Sequence, residues 1–111
     1  MPPITVAVDA HGNISCDPDL YVVPRNSGTV NIFWRMDTTG YRISGISGLP
    51  SGQFFNSTQN GGTGWKIQDK NDDVNITDYP YSVQVASTAT GEVTEHDPII
   101  RNGGQDDDLV P

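Results

Sequence analysis

The sequence predicts an all-β protein, a single Greek-key β-sandwich of immunoglobulin-like or cupredoxin-like shape with about seven to eight strands. Apolar and polar residues alternate with a period of two in several segments, as in strands that bury one face. Gly, Pro, Asn and Asp separate these segments roughly every 8 to 12 residues, which is the spacing of turns in a sandwich. No segment is predicted to form a helix of ordinary length.

The first half of the chain contains the predicted central strand. Residues 4–9 (ITVAVD) form the first strand, and two short apolar pieces follow at residues 14–16 and 20–24. Prolines beside these pieces confine them to sheet edges or to a crossing between sheets, because proline cannot donate to a ladder. Residues 29–36 (TVNIFWRM) form the central strand, and its buried face is predicted to consist of Val30, Ile32, Trp34 and Met36.

The second half contains a predicted hairpin over residues 79–100. Its first strand places Tyr81, Val83 and Val85 on one face, and Thr90-Gly91 supplies the turn. A Gly- and Ser-rich section precedes the hairpin, and in it Phe54 and Phe55 are expected to anchor a loop or an edge strand to the core. Shorter strands are predicted at residues 41–46, 65–67 and 74–77.

Length and composition predict one domain that needs no disulfide crosslinks to fold. A chain of 111 residues fits one domain, predicted to span residues 1–102, followed by a flexible acidic tail at residues 103–111. The net charge of −8, with only six Lys and Arg, argues against nucleic-acid binding and against adhesion to an anionic membrane. No apolar run reaches the roughly 18 residues of a membrane span, and no secretory signal pattern begins the chain, so a cytoplasmic location is expected.

Four aromatic residues lie among polar and Gly-rich neighbours. This composition is typical of loop faces that stack on a sugar or on a partner chain, and the same side chains could instead belong to the core. The leading hypothesis is therefore a non-enzymatic binding or assembly module with an unknown protein or carbohydrate partner. Self-association into a homo-oligomer is expected because few Lys residues protect the strand edges. The candidate binding residues are Tyr41, Phe54, Phe55 and Trp65.

The alternative hypothesis is a metal-binding protein. Residues 68–78 are rich in Asp and Asn, but an EF-hand loop would need Gly and Glu where the chain has Val74 and Pro80, so a solvated acidic turn is the competing interpretation. Clustered carboxylates on loops of a sandwich can still bind Ca²⁺ without that motif. The candidate calcium ligands are Asp69, Asp72, Asp73 and Asp78.

Copper is the second metal considered. Blue-copper sites use two His, one Cys and usually a Met, and this chain has His11, Cys16, His96 and Met36. Their order differs from that of blue-copper chains, in which Cys, His and Met cluster near the carboxyl end. The competing interpretation makes Cys16 a small buried residue in a strand. No triad, phosphate loop or nucleophile motif is found, so no catalytic residue and no enzyme activity are predicted.

The carboxyl-terminal third, YPYSVQVASTATGEVTEHDPIIRNGG, has a Tyr-x-Val-x-Val strand, a Thr-Gly turn and an Asp-Pro-x-Ile step. These features resemble the end of the DP-EP family, which comprises small bacterial β-sandwich proteins. The amino-terminal Ile-Thr-Val and the first Asp-Pro step are similar in placement. The family name implies a closing Glu-Pro motif, and this chain instead has Asn-Gly-Gly at residues 102–104. The resemblance implies a β-sandwich fold and supplies no activity, cofactor or catalytic residue.

Overall fold

Eleven strands in three sheets make up the computed structural model, which describes residues 2–104. None of the residues in that range is helical, so no helix there could cross a membrane. The strands are β1 (Ile4–Val8), β2 (Ile14–Asp17), β3 (Leu20–Pro24), β4 (Val30–Met36), β5 (Tyr41–Ser47), β6 (Phe54–Asn60), β7 (Gly64–Asp69), β8 (Thr77–Pro80), β9 (Ser82–Ser87), β10 (Val93–His96) and β11 (Ile99–Gly104).

The largest sheet has five strands in the order β2-β1-β4-β7-β6, and the two smaller sheets have the orders β10-β9-β5 and β3-β11-β8. Most neighbours are antiparallel, but β1 runs parallel to β4 and β3 runs parallel to β11. The inward faces of all three sheets contribute to one hydrophobic core, which gives a sandwich-like all-β fold. Its fully buried members include Ile4, Val6, Val23, Ile32, Ile43, Val83 and Ile100.

The central strand has the predicted buried face. Trp34 is 1% exposed, and Ile32 and Met36 are also buried, whereas Asn31 and Arg35 on the other face are exposed. The Trp34 indole packs edge-on against the Tyr81 ring, with ring centroids 5.7 Å apart. This contact joins β4 of the five-stranded sheet to the residue that precedes β9.

The predicted hairpin is confirmed over part of its length. β9 and β10 pair antiparallel, with Val93 opposite Ala86. Residues 99 and 100, however, do not continue β10, because the chain changes sheets at Asp97-Pro98 and enters β11 between β3 and β8. A period-two pattern describes each strand separately, so it cannot show that the chain changes sheets between β10 and β11.

Of two other segments, the first takes the edge-strand alternative of its prediction and the second differs from its predicted bounds. The Gly- and Ser-rich section forms an ordered hairpin, because β6 pairs with β7 along the edge of the five-stranded sheet. The strand predicted at residues 74–77 begins only at Thr77, and Val74 is 88% exposed. Counting β6, the separate strand β11 and the two short strands on either side of Asp17-Pro18 gives eleven strands where seven to eight were expected.

β11 extends to Gly104, two residues past the predicted end of the domain at residue 102. Gly103 and Gly104 are both buried, and Gly103 adopts a φ of 78° close to the Asn75 carbonyl, a conformation that glycine accepts without strain. These two residues therefore belong to the sheet. The rest of the predicted tail, residues 105–111, lies outside the described residues.

Candidate functional site

Two aspartates and two side-chain amides form a cluster at one end of the sandwich, which we name the acidic cluster: Gln53, Asp69, Asp73 and Asn102. The Asn102 Nδ2 donates to Asp69 Oδ1 at 2.8 Å and to Asp73 Oδ2 at 2.9 Å. The Gln53 Nε2 donates to the same two oxygens, each at 3.3 Å. The two carboxylates therefore share two amide donors.

The alternation of two strands places the innermost members of this cluster. In β7, Trp65, Ile67 and Asp69 share the inward face, so the strand ends with a carboxylate in a core position. In β11, Asn102 likewise follows Ile100 on the inward face. Asp69 and Asn102 are both 0% exposed, and they are the buried polar residues of the described core. The sequence does contain a signal for this burial, because Asp69 and Asn102 occupy positions of the inward face in the period-two pattern of their strands.

Burial raises the pKa of the Asp69 carboxyl above its ordinary value. Hydrogen bonds from Asn102, Gln53 and the Asn71 amide oppose this rise, and the negative charge of Asp73 adds to it. The Tyr79 hydroxyl donates to Asp73 Oδ1 at 2.7 Å, and burial together with this contact raises the pKa of that phenol. No cationic side chain lowers the pKa of Asp69.

The two other predicted calcium ligands point elsewhere. Asp72 pairs with the Lys70 ammonium at 3.3 Å, and both side chains are more than half exposed. Asp78 accepts two hydrogen bonds from Arg101, at 2.7 and 3.0 Å, and these bonds hold the pKa of its carboxyl below the ordinary value. The predicted set of four aspartates is thus divided: the structure brings together Asp69 and Asp73 only.

The sequence-based analysis missed Gln53 and Asn102, the two amides that complete the cluster. One atom on each buried residue has no hydrogen-bond partner among the described residues: Asp69 Oδ2 and Asn102 Oδ1. Buried polar atoms without partners are costly and uncommon in folded proteins. The acidic cluster therefore contains unused acceptor capacity at the same place where it concentrates negative charge.

The four predicted copper ligands do not all lie close together. Cys16 and His96 do lie together, but Asp19 is the third member of their group, with all ligand atoms within 4.8 Å of one another. His11 instead lines an open cleft of about 430 Å³ with Tyr41, Ser87, Thr90, Glu92 and Thr94. Met36 is buried in the hydrophobic core. The cupredoxin set of two His, Cys and Met is therefore not assembled in the described structure.

The Cys16 group has little of the character of a reactive centre. Burial, with a contribution from the negative charge of Asp19, raises the pKa of the Cys16 thiol to about 12. The His96 Nε2 lies 2.6 Å from Asp19 Oδ1, and both of these side chains are partly exposed. Cys16 itself is buried in β2, as the competing interpretation of the sequence proposed.

The four predicted aromatic binding residues do not form one surface. Tyr41 lines the cleft near His11, in a different sheet from the others. Phe54 is 4% exposed and packs edge-on against Tyr79, so it belongs to the core. Trp65 is half-buried, and its Nε1 donates to Ser57 Oγ at 2.9 Å. Of the four residues, Phe55 alone combines an outward position in its strand with 38% exposure.

The edge strand β6 is the most exposed long strand. Its sequence, FFNSTQN, contains no charged residue and no proline, and six of its seven residues are exposed. The other described edge strands each contain a charged residue or a proline: Asp17 in β2, Pro24 in β3, Arg42 in β5, Pro80 in β8 and Glu95 in β10. Charges and prolines are the usual protection of strand edges, so β6 is the edge that is left without them.

In the described part of the chain, these features define an all-β, sandwich-like protein with one sheet edge that lacks charged residues and proline, and with a partly buried acidic cluster. No protein-family model matches the chain, and no curated protein matches it. Its function is therefore argued from its own residues.

Proposed function

We propose that the protein is a non-enzymatic Greek-key β-sandwich module that assembles by pairing strands at β6. One observation carries the proposal: β6 is a seven-residue edge strand that is exposed and uncharged. An edge strand presents backbone N–H and C=O groups that another strand can pair with. The function is then association through a sheet edge, with backbone hydrogen bonds supplying the contact.

A second copy of the same chain is the occupant we propose for this edge. A net charge of −8 makes two copies repel each other over most of their surfaces, but β6 contributes no charge of its own to a contact. Lys66 lies opposite Thr58 on the neighbouring strand, so the charge that faces residues 58–60 in the ladder is positive. Antiparallel pairing of β6 with its copy would give a twofold-symmetric dimer, the commonest form of homo-oligomer.

The irregularity in β6 limits which residues can pair. The register with β7 shifts between Phe55 and Thr58, and Asn56 within the shift adopts a φ of 54°. A bulge of this kind bends an edge strand and weakens pairing locally. Residues 58–60 continue in regular register with β7, so we place the contact there, with Phe55 adding an apolar side chain beside it.

The chemistry of the Cys16 group supports a non-enzymatic function. A nucleophilic cysteine needs a lowered pKa and access to a substrate, whereas the pKa of Cys16 is raised and its side chain is buried. The resemblance to the DP-EP family is compatible with this proposal, because that family supplies no activity to transfer. Membership of that family is likewise part of the proposal, based on the Thr-Gly turn and the Asp-Pro step.

The test is the oligomeric state of three proteins, measured by native mass spectrometry and by light scattering across a concentration series. The wild type should form a dimer as its concentration rises. Thr58→Lys, which adds a charge to the unguarded edge, should remain monomeric. Ser15→Lys is the matched control, because it adds the same charge to an exposed, outward position of β2 at the opposite edge of the same sheet.

The control should dimerise like the wild type. A wild type that stays monomeric throughout the series would overturn the proposal. A Thr58→Lys variant that dimerises as well as the control would show that β6 is not the contact.

A further inference from the structure

Within residues 2–104, the hydrogen bonds to the two carboxylates of the acidic cluster come from neutral donors. Asp69 is 0% exposed, and the ammonium and guanidinium groups closest in sequence, on Lys70 and Arg101, bind Asp72 and Asp78 instead. Burying a carboxylate is costly unless it is paired, protonated or bound to a metal ion. Asp73 is only half-buried, but it shares the same hydrogen-bond donors, so its negative charge adds to the cost of burying Asp69.

Four atoms of the cluster form a closed ring. Carboxylate oxygens of Asp69 and Asp73 alternate with the amide nitrogens of Asn102 and Gln53, and the four sides measure 2.8, 2.9, 3.3 and 3.3 Å. Oxygen and nitrogen of a side-chain amide are assigned from the hydrogen bonds that they make, and a half-turn exchanges them. With both amides turned, the ring consists of four oxygens.

A ring of these dimensions fits a metal ion. If the four atoms take up a square with sides of about 3 Å, the centre lies about 2.1 to 2.2 Å from each atom, close to the roughly 2.3–2.6 Å of calcium–oxygen bonds. A small outward shift of the four ring atoms would lengthen their distance from the centre to that of a calcium–oxygen bond. With both amides turned, four oxygens would face one another with no proton between them, so that arrangement requires a cation at the centre.

The two hydrogen bonds that Nδ2 donates are the described polar contacts that set the orientation of the Asn102 amide. Its Oδ1 accepts no hydrogen bond from any described residue, so only the two carboxylates favour the present orientation. A cation at the centre would reverse that preference. The second oxygen of Asp69, Oδ2, is also buried without a partner, so this carboxylate has a lone-pair site left for bidentate ligation.

The surrounding structure holds the ring in place. Asp69 and Asn102 are on strands of different sheets, while Gln53 immediately precedes β6 and Asp73 lies between β7 and β8. The Asn71 amide donates to Asp69 Oδ1 at 2.9 Å, and the Tyr79 hydroxyl donates to Asp73 Oδ1. These donors orient the carboxylates from outside the ring, as supporting hydrogen bonds do in metal sites.

We propose that Asp69, Asp73, Asn102 and Gln53 form a Ca²⁺ site that links the five-stranded sheet to β11. All four ligands supply oxygen, the donor that Ca²⁺ prefers, and the two carboxylates match its charge. None of the four residues has an imidazole or a thiolate, the ligands that would favour zinc or copper. The site is independent of the association at β6, because none of its ligands lies within that strand.

Calcium binding to the chelator-treated full-length protein is the first measurement. Isothermal titration with CaCl₂ should give one ion per chain. At a calcium concentration about a hundred times the dissociation constant, the melting temperature should rise by roughly 10 °C. Terbium in place of calcium should show luminescence excited through tyrosine, because Tyr79 is bonded directly to a proposed ligand.

Isosteric variants identify the ligands. Asp69→Asn and Asp73→Asn should each weaken calcium binding about tenfold or more, since each removes one of the two ligand charges. Asp72→Asn is the matched control: it removes the same charge from the same loop, at a side chain that pairs with Lys70 outside the ring. Its affinity should stay within about twofold of the wild type. Melting curves in chelator verify that each variant folds.

Two results would overturn the proposal. One is a wild type that shows neither heat of binding nor a melting shift with calcium, which would mean that a proton compensates the buried charge. The other is calcium binding that Asp69→Asn and Asp73→Asn leave unchanged, which would place the ion elsewhere on this acidic protein.

Discussion

The indole nitrogen of Trp34 donates a hydrogen bond to the Tyr81 hydroxyl at 3.0 Å, in the interior between the sheets. Both residues are nearly inaccessible, at 1% and 3% exposure, and their rings meet edge to face. Burial raises the pKa of the Tyr81 phenol, and the bond from Trp34 opposes that rise. The pair therefore satisfies two polar groups that the core would otherwise leave without partners.

Truncating Trp34 should cause a large loss of stability. Trp34→Ala removes a fully buried side chain and leaves a cavity, so the free energy of unfolding should fall by about 3 to 5 kcal/mol. Tyr81→Phe keeps the ring but leaves the indole N–H without its acceptor, and it should cost about 1 to 3 kcal/mol. Urea denaturation measures both. An unchanged midpoint for Trp34→Ala would contradict its place in the core.

The Asp78–Arg101 pair should make a small contribution to stability that depends on pH. Hydrogen bonds from Arg101 lower the pKa of Asp78, so the pair stabilises the fold above the unfolded-state pKa near 4. That contribution is lost as the pH falls through the lower folded-state pKa. Because the Asp78 side chain is 41% exposed, we expect less than about 1 kcal/mol.

The measurement for this pair is the difference in melting temperature between the wild type and Asp78→Asn at a series of pH values. The variant should melt slightly below the wild type at pH 7, and the two curves should converge in strong acid. A difference that persisted at the lowest pH would assign the effect of the substitution to something other than the ion pair.

Local periodicity explains what the sequence could predict. The buried face of β4 and the β9–β10 pairing depend on residues that are neighbours along the chain, and both are found as predicted. Trp34 was recognisable as a core residue for the same reason. Alternation of apolar and polar residues is a property of each strand by itself, so it survives whatever sheet the strand joins.

Long-range relationships explain what the sequence could not predict. Asn102 reaches Asp69 from 33 residues away, and nothing in the spacing of the acidic segment indicates that partner. Likewise Asp19, rather than His11, joins Cys16 and His96, because the connection after β2 brings it close to the end of β10. Each of these placements depends on which strands become neighbours, which is decided by the whole fold.

Replacing Gly64 should destabilise the β6–β7 hairpin. A Cβ at this position would collide with the carbonyl oxygen of Asn60, the residue opposite it in the ladder. Backbone cannot give way as a flexible side chain can, so Gly64→Ala should lower the free energy of unfolding by about 1 to 3 kcal/mol. Gly62→Ala is the control, because a Cβ there meets no atom within 4 Å. Equal stability of the two variants, measured by thermal unfolding, would contradict this account.

Cys16 should react slowly with thiol reagents in the native protein. Only the thiolate attacks a disulfide reagent, and with the pKa raised to about 12 almost all of the side chain is protonated at neutral pH. Burial, at 7% exposure, further restricts access, so modification should require opening of the edge strand β2. The rate with 5,5′-dithiobis(2-nitrobenzoic acid) should therefore be at least about a hundredfold lower than in guanidinium chloride, where the unfolded chain exposes an ordinary thiol. A native rate equal to the unfolded rate would show that the thiol is accessible and ionised, and it would reopen the group of Cys16, Asp19 and His96 as a reactive site.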